Sequence, residues 1–125
     1  MSDTRAAYDA ICAHGLAFPG AHEDFPWGER VLKVDGKVFV FMGMQEHLDE
    51  KLGLTMKLKD HFVEIVVEPE AKPCGYGLGR HGWISFTYPT GGVPPIALLL
   101  ERMETSYRAV AKKRRVRELD EGSTT

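Results

Sequence analysis

The chain has 125 residues and a formal net charge of −2, with 43% hydrophobic and 27% charged residues. This length suits one domain with one hydrophobic core, and the composition is far from that of a disordered chain. A nearly neutral charge gives no overall attraction to nucleic acid or to anionic membranes, so binding of a polyanion requires a local basic patch. Two cysteines, Cys12 and Cys74, do not form a disulfide framework.

Neither a leader sequence nor a membrane span is expected. The chain opens directly on a helical pattern, without a basic region followed by an apolar run. Its longest apolar run, Ile96 to Leu100, has five residues, whereas a membrane-spanning helix needs about 20. We therefore expect a cytoplasmic protein that makes no contact with membranes and is a monomer or a weak homodimer.

The chain begins with a pattern that predicts an amphipathic helix from Thr4 to Ala17. Its apolar residues recur at the spacing of one helix face: Ala7, Tyr8, Ile11, Cys12 and Leu16. Pro19-Gly20 ends the helix, and Ala21 to Gly28 is a turn-rich connection. We expect its aromatic residues, Phe25 and Trp27, to cover the end of a sheet.

Three predicted strands follow. Glu29 to Val34 and Lys37 to Met42 are rich in β-branched and aromatic residues. The two-residue link Asp35-Gly36 between them favours a hairpin turn in which both positions have positive φ. Leu54 to Lys59 alternates apolar and polar residues, which predicts a half-exposed antiparallel strand with a basic outer row.

The segment from His61 to Val67 fits two structures. Its β-branched residues favour a strand, whereas a possible N-cap at Asp60 and the spacing of its apolar residues favour a short helix. The sequence alone leaves both open. A charged loop from Glu68 to Pro73 comes next.

The last predicted elements are a strand from Trp83 to Tyr88 and a long helix. Pro95 opens this helix, whose apolar stripe covers about four turns: Ile96, Leu99, Leu100, Met103, Tyr107 and Val110. Residues after Arg117 lack periodicity and are expected to fray.

This order of elements predicts an α+β fold in two layers. Because consecutive strands are joined by short links, we expect a mostly antiparallel sheet with the N- and C-terminal helices packed on one face. The domain is expected to span residues 1–117 and to be followed by a disordered tail at residues 118–125.

Several motifs, taken in order, resemble the MmcQ/YjbR family of small bacterial proteins. They are Phe25-Pro26-Trp27-Gly28, Gly36-Lys37-Val38-Phe39, Leu54-Thr55-Met56-Lys57-Leu58, Gly75-Tyr76-Gly77-Leu78-Gly79-Arg80-His81-Gly82-Trp83-Ile84, and Ser106-Tyr107 with Val110. The resemblance covers about Ala6 to Lys113 and implies a CyaY-like α+β fold, with a helix over Asp60 to Val67. Many members are of unknown function; the usual proposal, which the resemblance implies here, is DNA binding through a double-wing surface. It brings no catalytic residue and no cofactor.

A run of cations near the C-terminus makes DNA the first candidate partner. Lysine and arginine neutralise phosphate charge and dominate the affinity of such binding. The candidate residues are Arg80, Arg108, Lys112, Lys113, Arg114 and Arg115. The alternative is that cations at a helix C-terminus only complement the helix dipole and keep the end of the helix solvated.

The glycine-rich loop (residues 75–82) is the second candidate site, for a small ligand or a protein partner. Glycines let backbone N–H groups approach an anion closely, and the candidate contact residues are Tyr76, Arg80, His81 and Trp83. The loop precedes a strand, whereas loops that cradle nucleotide phosphates lead from a strand into a helix. The alternative is a structural bend that sets the register of the following strand.

Catalytic and metal-binding patterns are weak throughout. Cys74 and His81 could form a thiolate–imidazolium pair, but the sequence offers no third group to orient them. His22, Glu23 and Asp24 are adjacent residues of one loop, and such residues rarely converge on one metal ion. We therefore expect a non-enzymatic binding protein without a metal ion or another cofactor.

Overall fold

The structure, a computed structural model, describes residues 3–75 and 77–123, and within them six strands form one sheet in the order β1-β2-β3-β4-β6-β5. The strands are β1, His22–Asp24; β2, Val31–Val34; β3, Lys37–Phe41; β4, Lys51–Lys57; β5, Ala71–Pro73; and β6, Trp83–Pro89. The helices are α1, Asp3–Leu16; α2, Phe62–Ile65; α3, Ile96–Val110; and α4, Lys113–Ser123. Short 3-10 turns cover Gln45–Asp49, Lys59–His61 and Leu78–His81. All neighbouring strands are antiparallel.

Helices α1 and α3 pack against each other and against the sheet, and the hydrophobic core lies between these two layers. Alternate residues of β4 and β6 point into the core, because successive side chains of a strand face opposite sides: Leu52, Leu54, Met56, Ile84, Phe86 and Tyr88. Tyr8 of α1 and Tyr107 of α3 are fully buried. The predicted α+β fold with an antiparallel sheet and helices near both ends of the chain is confirmed.

Two local predictions are also confirmed. Asp35 and Gly36, which join β2 and β3, have φ values of 52° and 79°, as a two-residue hairpin turn requires. The segment that fitted either a helix or a strand is helical, since the 3-10 turn Lys59–His61 leads directly into α2. This agrees with the helix that the family resemblance implies.

Both edge strands lie where the sequence predicts loops. β1 and β5 have three residues each, and all three residues of β1 are exposed. Such short segments carry no apolar periodicity that a pattern could reveal. They form because β2 and β6 offer unpaired backbone groups, which need hydrogen-bond partners.

The disordered tail predicted for residues 118–125 is wrong for the part that the structure describes, since α4 continues to Ser123. Helix α3 ends at Val110, and the extended Ala111 separates it from α4. Asp35 at the β2–β3 turn fixes the start of α4: its carboxylate accepts the Lys112 backbone N–H at 3.2 Å and the Arg115 Nε–H at 3.3 Å. A carboxylate at a helix N-terminus satisfies free donors and complements the helix dipole. Residues 124 and 125 lie outside the described residues.

The side chain of Ser106, in α3, is inserted between β3 and β4. Strand pairing between β3 and β4 reaches only as far as Val40 and Met56. At the next pair of residues, Phe39 and Lys57, the buried Ser106 hydroxyl donates to the Phe39 carbonyl oxygen and accepts the Lys57 N–H at 2.8 Å. One side chain thus replaces a backbone hydrogen bond and joins the helix layer to the sheet.

Candidate functional site

The face of the sheet that is turned away from α1 and α3 carries two adjoining cavities. Its side chains alternate with the core residues of the central strands: Phe41, Thr55, Trp83, Ser85 and Thr87. Two loops cover part of this face, namely the connection before β2 and the glycine-rich loop. The sheet therefore has one face packed against helices and one open face.

The larger cavity has a volume of about 520 Å³ and is lined by Trp27, Glu29, Phe41, Thr55, Cys74 and Leu78. Phe41 and Thr55 are strand residues, whereas Trp27 and Leu78 come from the two covering loops. Trp27 is 70% exposed, and Leu78 and Cys74 are half-buried. Sites for small organic ligands typically have volumes of about 300–1,000 Å³, so this cavity has the size of a ligand site.

Phe41, which lines the larger cavity, is packed against a second aromatic ring. The rings of Phe41 and Trp83 meet edge to face, with 5.4 Å between their centroids and an interplanar angle of 68°. This geometry is favourable for aromatic pairs. Trp83 is not among the residues that line either cavity on this face, and its ring contact helps to fix the orientation of Phe41.

Two kinds of polar group lie at the bottom of the open face. The hydroxyl oxygens of Thr55 and Ser85, which are opposite each other on β4 and β6, are 2.9 Å apart. The Glu29 Oε2 atom accepts the Gly43 N–H at 3.1 Å. Glu29 and Thr55 also line the smaller cavity, of about 250 Å³. Glu29 and Thr55 can therefore exchange hydrogen bonds with a ligand in either cavity, and Ser85 with a ligand in the smaller one.

The glycine-rich loop is a bend that is hydrogen-bonded to the sheet at both ends. Gly77 and Gly82, with φ values of 77° and 90°, flank the 3-10 turn Leu78–His81. At its base the Cys74 N–H donates to the Trp83 carbonyl oxygen at 3.0 Å, and the Leu58 N–H donates to the Gly82 carbonyl oxygen at 2.8 Å. The bend brings the Leu78 side chain to the cavity.

Three of the four candidate contact residues of this loop lie outside the two cavities. Arg80 and His81 are exposed on the 3-10 turn, and neither they nor Trp83 are among the lining residues. Tyr76 lies outside the described residues. Glu29, Phe41, Thr55 and Cys74, which do line the larger cavity, were not among the candidate binding residues from the sequence. The one available signal was the outward position of Thr55 in an alternating strand.

Several basic residues, some of them candidate DNA-binding residues, lie at one end of the sheet. The strand register places the β2–β3 turn, the end of β4 and the start of β6 together there. Lys57, Lys59 and Arg108 line a hollow of about 240 Å³ at this end. Gly82, two residues after Arg80, is packed directly against the Lys59 backbone.

Two of the candidate DNA-binding residues, Arg108 and Arg115, form ion pairs with acidic residues. Arg108 Nη2 lies 2.7 Å from Asp120 Oδ1, and Arg108 Nε lies 3.2 Å from Glu104 Oε2. Arg115 Nε lies 3.3 Å from Asp35 Oδ1. The hydrogen bond that Arg108 donates to Asp120 raises the pKa of Arg108, and the one that Arg115 donates to Asp35 raises the pKa of Arg115. Both guanidinium groups therefore have a structural role.

The remaining candidate cations are exposed to solvent. They are Arg80 on the glycine-rich loop and Lys112, Lys113 and Arg114 at the start of α4.

In residues 3–75 and 77–123, no group of three or more histidine, cysteine, aspartate or glutamate side chains is placed to hold a metal ion. No helix in the described part of the chain is long and apolar enough to span a bilayer.

These features define a small α+β domain with one helical face and one open sheet face that contains a cavity of ligand size. The YjbR family model matches residues 16–109, which is most of the chain, and the protein belongs to this family. The family resemblance noted in the sequence is confirmed.

A solved structure shows the same fold. The chain is similar to the crystal structure of a Deinococcus radiodurans protein with a DUF419 domain, with a TM-score of 0.69 and 24% identity. The match covers 90% of this chain and 86% of the other. Identity at this level shows the fold alone. A comparison with curated proteins gave no match.

Proposed function

We propose that the protein binds a small organic ligand in the larger cavity of the open sheet face and does not catalyse a reaction. The observation that carries this proposal is the cavity of about 520 Å³, with mostly apolar lining residues and a few fixed polar groups. This combination is what small-molecule sites share. Cys74 lines the cavity, but no histidine is among its described lining residues to act as a base.

Alkylation of Cys74 is expected to block the cavity. Cys74 is half-buried at the cavity wall, whereas Cys12 is 4% exposed, so N-ethylmaleimide reacts selectively with Cys74 and places a bulky group inside. We expect the affinity for Nile red, a neutral dye that brightens in apolar sites, to fall at least about tenfold, equivalent to about 1.4 kcal/mol. Fluorescence titration before and after alkylation measures the change, and mass spectrometry confirms single modification.

The Cys74→Ser variant is the matched control. It should bind Nile red with nearly the affinity of the unmodified protein, and N-ethylmaleimide should leave that affinity unchanged. Absence of Nile red binding, or equal binding by the alkylated and unmodified proteins, would contradict the proposal.

DNA is the second candidate ligand, and the observation that favours it is the set of cations at one end of the sheet. Lys112, Lys113 and Arg114 are consecutive and exposed, and Lys57 and Lys59 lie at the same end. Phosphate groups bind such clusters with an affinity that falls steeply with salt. Asp35, Glu104 and Asp120 reduce the positive charge of this surface, which is why we place this candidate second.

Reversal of charge at Lys113 and Arg114 is expected to abolish any DNA complex. The double variant Lys113→Glu, Arg114→Glu leaves the Arg115–Asp35 ion pair intact, so α4 should remain docked. Each lost phosphate contact reduces, by about one, the steepness with which the logarithm of the binding constant falls as the logarithm of the salt concentration rises. A gel-shift titration with duplex DNA in low-salt buffer measures the effect.

The variant Lys51→Glu, Lys72→Glu carries the same change in net charge away from α4, because Lys51 opens β4 and Lys72 lies in the edge strand β5. It should retain the shift. An equal loss in both double variants, or no shift for the unmodified protein, would contradict a DNA-binding surface at the start of α4.

A further inference from the structure

We infer that the ligand of the larger cavity is an organic cation, such as an aromatic or alkyl ammonium compound. This inference rests on the proposed function and specifies its ligand. It is drawn from the position of Glu29, which lines both cavities of the open face.

Glu29 differs from the other half-buried carboxylates of the protein. Among the side chains that the structure describes, four carboxylates are half-buried: Glu29, Asp35, Glu68 and Glu104. Three of them form an ion pair with an arginine: Asp35 with Arg115, Glu68 with Arg102, and Glu104 with Arg108. Glu29 has no ion pair with any described residue, and its one hydrogen bond comes from the Gly43 N–H.

A half-buried carboxylate without a counter-ion is costly, because it has lost part of its hydration without gaining an opposite charge. A ligand that carries a positive charge next to Glu29 would remove this cost. An anionic ligand would add to it. The electrostatics of the site therefore select for a cation.

The rest of the lining favours the same ligand. Trp27 and Phe41 line the larger cavity together with Glu29, and the faces of aromatic rings attract cations. Of the described residues that line this cavity, none is a lysine, an arginine or a histidine. Lys51 and His47 line only the smaller cavity, and both are exposed. The Thr55 hydroxyl oxygen, which also lines this cavity, can accept N–H groups.

Three small probes of similar size test the charge preference: 2-phenylethylamine, which is a cation at neutral pH, 2-phenylethanol, which is neutral, and phenylacetate, which is an anion. We expect 2-phenylethylamine to bind at least about tenfold more tightly than 2-phenylethanol, and phenylacetate to bind most weakly. Amide shift changes in a ¹⁵N NMR titration, centred on Phe41 and Thr55, measure affinity and location together.

The Glu29→Gln variant should remove the preference for the amine over the alcohol. Glutamine keeps a carbonyl oxygen that can accept the Gly43 N–H, so the local structure should persist while the charge is lost. The Thr55→Val variant is the matched control: it removes a polar lining group without changing charge and should keep the preference.

The outcomes separate the inference from the proposed function. Equal affinity of the unmodified protein for amine and alcohol overturns the inference, and this comparison does not depend on any variant. A preference that persists in Glu29→Gln overturns it as well. Binding of Nile red without binding of 2-phenylethylamine overturns the inference and leaves the proposed function. Absence of both kinds of binding overturns the two together.

Discussion

Replacement of Gly82 by alanine is expected to destabilise the fold by about 3 kcal/mol or more. Gly82 has a φ of 90°, a value that residues with a side chain rarely adopt. A Cβ atom at this position would also lie 2.5 Å from the Cα and Cβ atoms of Lys59. Because the clash involves backbone, no rotation of a side chain can relieve it.

Two other glycines separate the causes of this loss. Gly91 has a φ of 99°, and a Cβ atom added there would have no neighbour within 4 Å, whereas Gly75 has neither a positive φ nor a close neighbour. Gly91→Ala should therefore cost about 1 kcal/mol, from backbone strain, and Gly75→Ala should be close to neutral. Urea unfolding of the three variants measures the loss in the free energy of unfolding for each and so tests this order. A Gly82→Ala variant as stable as Gly91→Ala would show that the loop can move away from Lys59.

Replacement of Ser106 by alanine is the second change with a large expected effect, a loss of about 3 kcal/mol. The variant leaves the Phe39 carbonyl oxygen and the Lys57 N–H in a buried position without the hydroxyl that binds both. Each unsatisfied buried backbone group costs about 1–3 kcal/mol. Denaturant unfolding measures the loss, and faster hydrogen exchange at the Lys57 amide should accompany it.

Thr105→Ala is the matched control for Ser106, since it removes a hydroxyl from the neighbouring position of α3. The Thr105 hydroxyl donates only to the Glu101 carbonyl oxygen in its own helix, at 3.2 Å. Its removal should cost no more than about 0.5 kcal/mol. A loss below about 1 kcal/mol for Ser106→Ala would mean that β3 and β4 close together and form the missing backbone hydrogen bond.

The elements that the sequence predicts correctly depend on local signals. The β2–β3 turn is determined by two adjacent residues, Asp35 and Gly36, whose preference for positive φ needs no distant contact. α1, β4 and β6 each show the period of their own secondary structure, because one face of each lies in the core. The order of these elements was enough to predict the two layers.

The elements that the sequence does not predict depend on contacts between residues far apart in the chain. β1 and β5 are too short and too polar to show a period, and they exist because a neighbouring strand has free backbone groups. α4 is highly charged, and its start is fixed by Asp35, which lies 77 positions earlier than Lys112 in the chain. No local pattern could place that contact.

The candidate site was predicted only in part. From the sequence, the glycine-rich loop was a candidate binding site, and Trp27 was expected to cover the end of the sheet. The structure places Trp27 and Leu78 of that loop at the cavity on the open face. Glu29 was missed because it was interpreted as the first residue of a strand. Its significance depends on the absence of a counter-ion among the described residues around it, which only three-dimensional packing reveals.

The edges of the sheet limit how another chain can associate with this protein. A partner that extends a sheet needs a continuous row of free backbone donors and acceptors along the outermost strand. Here both outermost strands have three residues, and β5 ends in Pro73, which has no N–H to donate. Neither edge therefore offers a long row of free backbone groups for strand addition. We expect a protein partner to approach one of the faces instead, where side chains rather than backbone groups make the contacts.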